Sequence, residues 1–278
     1  MAEFIKDGFS FFDGFFGEPV FNLNDLDKNK LDYIITNRIK NVSIDNAILE
    51  CDFLYKLEFI EEVYLSNTIC LEGFYQLKNL KRIVINIENH KKSIDFSNFP
   101  NLEILSIDWY GFFPDLSKNT KLKELSVWKY RPKSKSLAEL RLPVSLEKLH
   151  ITESNILTLE GVQLSNLKEF EGHYCNSLAS INGIENFSSS LKILILDYCR
   201  KLTQYNDLKN AQNLEKIILG SSGDIPSLGW LKKLKKVKHF SFWNTKLLDG
   251  DTSPCFGIDY VSFQNQKHYN HKAEEFSR

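Results

Sequence analysis

Along most of this chain an aliphatic residue is followed three and five positions later by another apolar residue, with polar or aromatic residues between. The first position of this pattern falls at Ile39, Ile60, Leu80, Leu102, Leu122, Leu146, Leu167, Leu191, Leu214, Val237 and Ile258. Successive starts lie 20 to 24 residues apart, with a mean of about 22. Period-two alternation predicts a short strand in each repeat. The fourth and sixth side chains point into a core, and the third, fifth, seventh and eighth project from the sheet or its ascending edge. Leu146, Leu149 and Ile151, like Leu191, Leu194 and Leu196, show the apolar triplet cleanly. In one repeat Leu167 and Phe170 are followed by Gly172, which predicts a local dent in the core.

The ninth position of each repeat must satisfy backbone groups where the chain bends out of the strand. Cys175 and Cys199 occupy it, and other repeats place Thr68, Ser154, Ser222 or Thr245 there. The return segments read LEGFYQLKNL from Leu71 to Leu80 and LEGVQLSNL from Leu159 to Leu167. With the L-x-x-L-x-L strand, this pattern resembles the short leucine-rich repeats of bacterial internalins, over roughly residues 39–263. The resemblance implies an α/β solenoid: a horseshoe with about eleven parallel strands on its concave side, 3-10 turns on its convex side, and a cap at each end. One repeat cannot bury its apolar edge alone, so neighbours stack around a shared core.

The open ends of such a core need cover, which divides the chain into an N-terminal cap (1–38), repeats (39–263) and a C-terminal cap and tail (264–278). The front segment carries Phe9, Phe11, Phe12, Phe15, Phe16 and Phe21, and Asn24 reads as a helix cap before DLDKNKLDYIITNRI. Asp13 and Glu18 interrupt the phenylalanines and argue against membrane insertion. At the back, the polar tail is expected to lose order from Ala273. His268 and His271 have H-x-x-H spacing, but no third metal ligand lies near them in sequence.

Composition narrows the function classes. A formal charge of −1 and a pI near 6.6 give no basic field for nucleic acid. No apolar run approaches the roughly 18 residues of a membrane span, and the start lacks a secretory pattern. Cys51, Cys70, Cys175, Cys199 and Cys255 show no paired spacing, which fits a reducing cytoplasm.

The outward face then carries whatever function there is. Trp109, Trp128, Trp243, Tyr64, Tyr174, Tyr198 and Tyr260 fall at outward positions, seven of the chain's 15 Trp and Tyr residues. Such residues anchor protein interfaces. Acidic outward positions are Asp45, Asp108, Asp197, Glu62, Glu124, Glu153 and Glu171, against Arg82, Lys129, Lys148 and Lys216. His150 and His173 sit on neighbouring strands, with no nucleophile or orienting carboxylate evident for catalysis or a metal. The long repeat after Leu122 adds Arg131, Lys133, Lys135 and Arg141, expected as a solvated rim loop.

These features predict a protein-recognition module without chemistry, cofactor or metal of its own, acting as a monomer or in a one-to-one complex. Its partner is a protein, with neither nucleic acid nor membrane involved. The expected contact set is Trp109, Trp128, Trp243, Tyr64, Tyr174, Tyr198, Asp108, Asp197, Glu171, His150, His173 and Arg82. The layout is similar to bacterial immunity proteins of the leucine-rich repeat kind, which implies neutralisation of a basic toxin domain. Two other roles stay open: a substrate adaptor for a larger enzyme such as a ubiquitin ligase, which would need residues 1–38 as its docking element, and an internalin-like adhesion protein.

Overall fold

The computed structural model describes residues 2–23, 27–44, 52–66, 71–86, 94–109, 111 and 113–276. Asn24, Asp45, Cys51, Thr68 and Cys70, all given roles above, lie outside them. The chain divides into two compact bodies, Met1–Tyr110 with Pro114–Lys123, and Gly111–Phe113 with Glu124–Arg278.

The first body opens with strands β1 (Glu3–Lys6), β2 (Phe9–Asp13) and β3 (Pro19–Asn22). Asp7 and Gly8 both have positive φ, 53° and 83°, and form the two-residue turn that right-twisted hairpins favour. β1, β2 and β3 pair antiparallel. The Phe-rich segment therefore forms antiparallel strands: Phe11 and Phe21 are buried and meet edge to face at 5.2 Å. Helix α1 (Lys28–Asn37) follows, capped by Asp27, whose carboxylate accepts from the Lys30 N–H at 2.8 Å. The observed cap thus lies three residues beyond Asn24, the cap that the sequence suggests. β3 pairs parallel with the first repeat strand, β4 (Asn41–Ile44), and β5 (Glu62–Leu65), β6 (Arg82–Ile85) and β7 (Ile104–Asp108) extend the parallel ladder.

The second body holds the other seven repeat strands: β8 (Glu124–Trp128), β9 (Lys148–Thr152), β10 (Glu169–His173), β11 (Ile193–Asp197), β12 (Lys216–Gly220), β13 (His239–Trp243) and β14 (Tyr260–Phe263). Each pairs parallel with the next. Most returns between them carry a 3-10 turn, such as Leu137–Glu139, Ile184–Asn186 and Asn206–Asn210, and the return from β9 to β10 is made of turns and bends. Parallel strands need a crossover, and here these short segments supply it in place of the usual long helix.

The core follows the repeat register. Leu149, Phe170, Leu194, Ile217 and Phe240 line up across β9 to β13 and are fully buried. The dent expected at Gly172 is absent: a Cβ there would meet Leu196 Cδ2 at 3.0 Å and the Phe170 ring at 3.5 Å. The neighbouring side chains have taken the space a sixth-position side chain would fill. At the ninth position, the Cys199 thiol lies 3.5 Å from the Gly172 carbonyl, and the Ser222 hydroxyl donates to the Leu196 carbonyl at 3.2 Å.

Gly223, just past that bend, carries a stability prediction. A Cβ there would run into the Leu202 carbonyl oxygen, and backbone cannot step aside as a side chain can. Gly223→Ala is expected to cost about 1–3 kcal/mol in urea denaturation. Gly229→Ala, whose Cβ would meet only Ser227 Oγ at 3.5 Å, is expected to stay within about 0.5 kcal/mol.

The C-terminal segment is packed where disorder was expected. Ala273–Glu275 forms a 3-10 turn, and Phe276 is buried with its ring 4.8 Å from that of Phe256. His268 and His271 turn to different partners: His268 Nε2 lies 2.9 Å from the Leu247 carbonyl, and His271 Nδ1 lies 3.0 Å from Glu275 Oε2. Among the described residues, no helix is long and apolar enough to cross a membrane.

Candidate functional site

In the second body the parallel register sorts outward side chains into rows. The third-position row runs Glu124, Lys148, Glu169, Ile193, Lys216, His239 and Tyr260. The fifth-position row runs Ser126, His150, Glu171, Ile195, Ile218, Ser241 and Ser262. The seventh-position row runs Trp128, Thr152, His173, Asp197, Gly220 and Trp243. Strand spacing places Trp128 and Trp243, five strands apart, at about 24 Å.

The eighth position completes the face by an unusual backbone choice. Lys129, Glu153, Tyr174, Tyr198, Ser221 and Asn244 all have φ between 44° and 55°, a left-handed state that bulky residues adopt only at a cost. The N–H groups of Lys129, Glu153, Tyr174, Tyr198 and Ser221 each reach the seventh-position carbonyl of the next strand, as Tyr174 does to Asp197 at 2.9 Å. These bonds offset the strain. They also bring Tyr174 and Tyr198 into a parallel stack, 4.6 Å between centroids and 12° between planes, with the Arg200 guanidinium 5.7 Å over Tyr198.

Exposure marks the aromatic anchors. Trp128 is 44% exposed, Tyr174 45%, Trp243 38% and Tyr260 52%. Tyr260 stacks on His239 at 4.4 Å. Gly220 sets the position of Trp243, because a Cβ at residue 220 would collide with both the Trp243 ring and Asp197 Oδ1. Between these aromatics lie Ile193, Ile195 and Ile218, all half-buried on the outward face. Five carboxylates on this face (Glu124, Glu153, Glu169, Glu171 and Asp197) outnumber the three ammonium groups of Lys129, Lys148 and Lys216.

The charges interlock around β9 and β10. His173 Nε2 lies 2.9 Å from Glu171 Oε2, and His150 Nε2 lies 3.6 Å from Glu169 Oε1 and 3.9 Å from Glu171 Oε1. The His173 hydrogen bond holds the Glu171 carboxyl down at about 2, and Glu171 in turn raises His173. Burial, then the neighbouring Glu171, pushes Glu169 up. Lys148 is engaged by Glu124 at 3.1 Å, which raises it. Burial also raises Asp197. The Cys199 thiol, hydrogen-bonded to Cys175 and deeply buried, is raised well above the usual range, the environment of a structural cysteine.

In the first body the predicted contact residues are placed differently. Tyr64 is buried rather than presented. The N-terminal hairpin and its following turn cover it: Phe15 stacks on its ring at 5.7 Å, Phe12 meets it edge-on at 5.6 Å, and the Phe15 N–H donates to its hydroxyl at 2.8 Å. Arg82 is occupied too, bridging buried Glu62 at 2.7 Å with its guanidinium 5.3 Å over Phe16. Asp108 is buried and Trp109 is half-buried. A groove of about 420 Å³ on this body is lined by Arg38, Lys40, Phe59, Glu61, Asn79, Lys81 and Asn101. Its Lys40 and Lys81 both spend their charge on Glu61, at 2.7 Å each.

No protein-family model matches the sequence, and no curated protein does. Solved structures do match. The leucine-rich repeat domain of the type III effector XCV3220 (XopL) aligns with a TM-score of 0.52 at 18% identity, over 76% of this chain and 79% of that one. The internalin inlF of Listeria monocytogenes gives 0.53 at 15% identity, over 90% and 82%. The functional domain of InlJ from the same species, described as including a cysteine ladder, gives 0.56 at 15%, over 88% of this chain and 57% of that one. This chain has the leucine-rich repeat fold. Identity this low carries the fold and nothing finer.

Two site features lie outside the contact set that the aromatics and charges suggest. Glu169 sits at an outward third position and completes the His150 cluster. Ile193, Ile195 and Ile218 are aliphatic, yet the repeat register assigns all three to the open face.

Proposed function

We propose that this protein is a binding module that recognises a basic partner protein on the outward sheet face of its second body, with no chemistry of its own. One observation carries the reading. Trp128, Tyr174 and Trp243 stand more than a third exposed around the half-buried Ile193, Ile195 and Ile218. That is an apolar centre with aromatic anchors and a charged rim, the anatomy of a protein interface. The excess of carboxylates favours a cationic partner, with charge acting on approach and orientation more than on affinity. The matched structures are the leucine-rich repeat domain of an effector, an internalin and the functional domain of InlJ, which fits recognition as the common use of the fold.

The specific role proposed is neutralisation of a basic toxin by direct binding. Co-expression with the protein encoded beside it tests this. The expected result is that the neighbour alone poisons cells, that this chain rescues them, and that the two purify as a one-to-one complex. A neighbour that is harmless, or that does not bind, would remove the toxin reading and leave recognition of another partner.

A further inference from the structure

We propose that His150, Glu169 and Glu171 form a binding site for a first-row divalent cation of the zinc class, on the outward face between β9 and β10. This does not depend on the identity of any protein partner.

The donor set is mixed, one imidazole nitrogen and two carboxylate oxygens, all within 4.8 Å of one another. Glu169 and Glu171 lie two residues apart on β10, so they share a face. His150 lies directly opposite Glu171 on β9. An ion bound tetrahedrally by such ligands holds them about 3.3 Å apart. The His150 Nε2 separations of 3.6 and 3.9 Å need only small rotamer changes to reach that.

A second observation points to a missing ligand. The His150 ring is 31% exposed, but its Nε2 atom is shielded from solvent and has no hydrogen-bond partner. It faces two carboxylates at distances beyond hydrogen-bond reach. An orphaned buried nitrogen is costly, and a cation between it and the carboxylates would satisfy all three groups at once. The cation nearest in the fold does not fill that role, because Lys148 reaches across to Glu124.

The surroundings are those of a supported site. His173 holds Glu171 Oε2 at 2.9 Å, as outer-shell partners do for metal-ligating carboxylates, and Glu171 Oε1 is the oxygen nearer His150 at 3.9 Å. Three protein ligands on an open sheet face leave a fourth position for water. That position opens onto the outward face of the sheet.

Cobalt(II) titration of the metal-stripped full-length protein tests the proposal, because its visible absorption reports coordination directly. The expected result is one cobalt bound per chain with the intense bands of a four-coordinate site, displaced by one equivalent of zinc. His150→Ala and Glu171→Gln should each lower the affinity by at least 10-fold while leaving the thermal transition in place. His173→Ala should lower it by roughly 10-fold, in keeping with a supporting role. Absence of binding, or affinity unchanged in His150→Ala, would overturn the proposal. So would loss of binding in a His268→Ala, His271→Ala variant with the β9–β10 residues intact.

Discussion

Leu194→Asp is expected to unfold the second body at room temperature. Leu194 is fully buried, between Phe170 on one neighbouring strand and Ile217 on the other. Removing its burial costs about 2–3 kcal/mol, and an unpaired carboxylate in its place costs several more. The total approaches the whole stability of an ordinary domain, about 5–15 kcal/mol. In a stack where each repeat leans on its neighbours, the loss also severs the coupling between the strands on either side. Ile195→Asp is the control, since the next side chain faces out and is half-buried; it is expected to cost about 1 kcal/mol. Circular dichroism during urea denaturation distinguishes them. Equal destabilisation by the two would show that the inward and outward rows have been assigned wrongly.

The second large effect is on binding. Trp243→Ala is expected to lower the urea midpoint far less than Leu194→Asp, because the side chain is 38% exposed, and to weaken the partner complex by about 30-fold. That corresponds to about 2 kcal/mol, the threshold of an interface anchor. Trp128→Ala should act in the same direction. The contrasting residue is Tyr64. It is packed beneath Phe12 and Phe15, so Tyr64→Ala should reduce stability and leave partner affinity within about twofold. Calorimetric titration of each variant with the captured partner checks all three.

Much of this was legible in the sequence, for an identifiable reason. A repeat that must stack puts its aliphatic residues at fixed positions, and period two then assigns each neighbour to the open face. All eleven repeat strands appear where that register places them. What was less legible depends on residues far apart in sequence. Gly172 looked like a defect because nothing local shows Leu196, from the next repeat, closing over it. Tyr64 and Arg82 looked available because their cover, Phe15 and Phe16, lies 49 and 66 residues earlier in the chain. The Asp7–Gly8 turn signal of the hairpin before them was present, set among phenylalanines. The carboxylates of Glu169 and Glu171 answer the objection that His150 and His173 lack a companion acid. Both are at outward positions, but their convergence on His150 depends on side-chain geometry.

Hydrogen–deuterium exchange of the complex, compared with the free protein, tests the central claim most directly. Backbone amides of β10 to β13 and of the eighth-position turns at Tyr174 and Tyr198 should gain protection when the partner binds, while the 3-10 returns of Ile184–Asn186 and Asn206–Asn210 should not change. Protection confined to those returns, or to the N-terminal hairpin, with the β10–β13 face unaltered, would contradict the assignment of recognition to the outward sheet face.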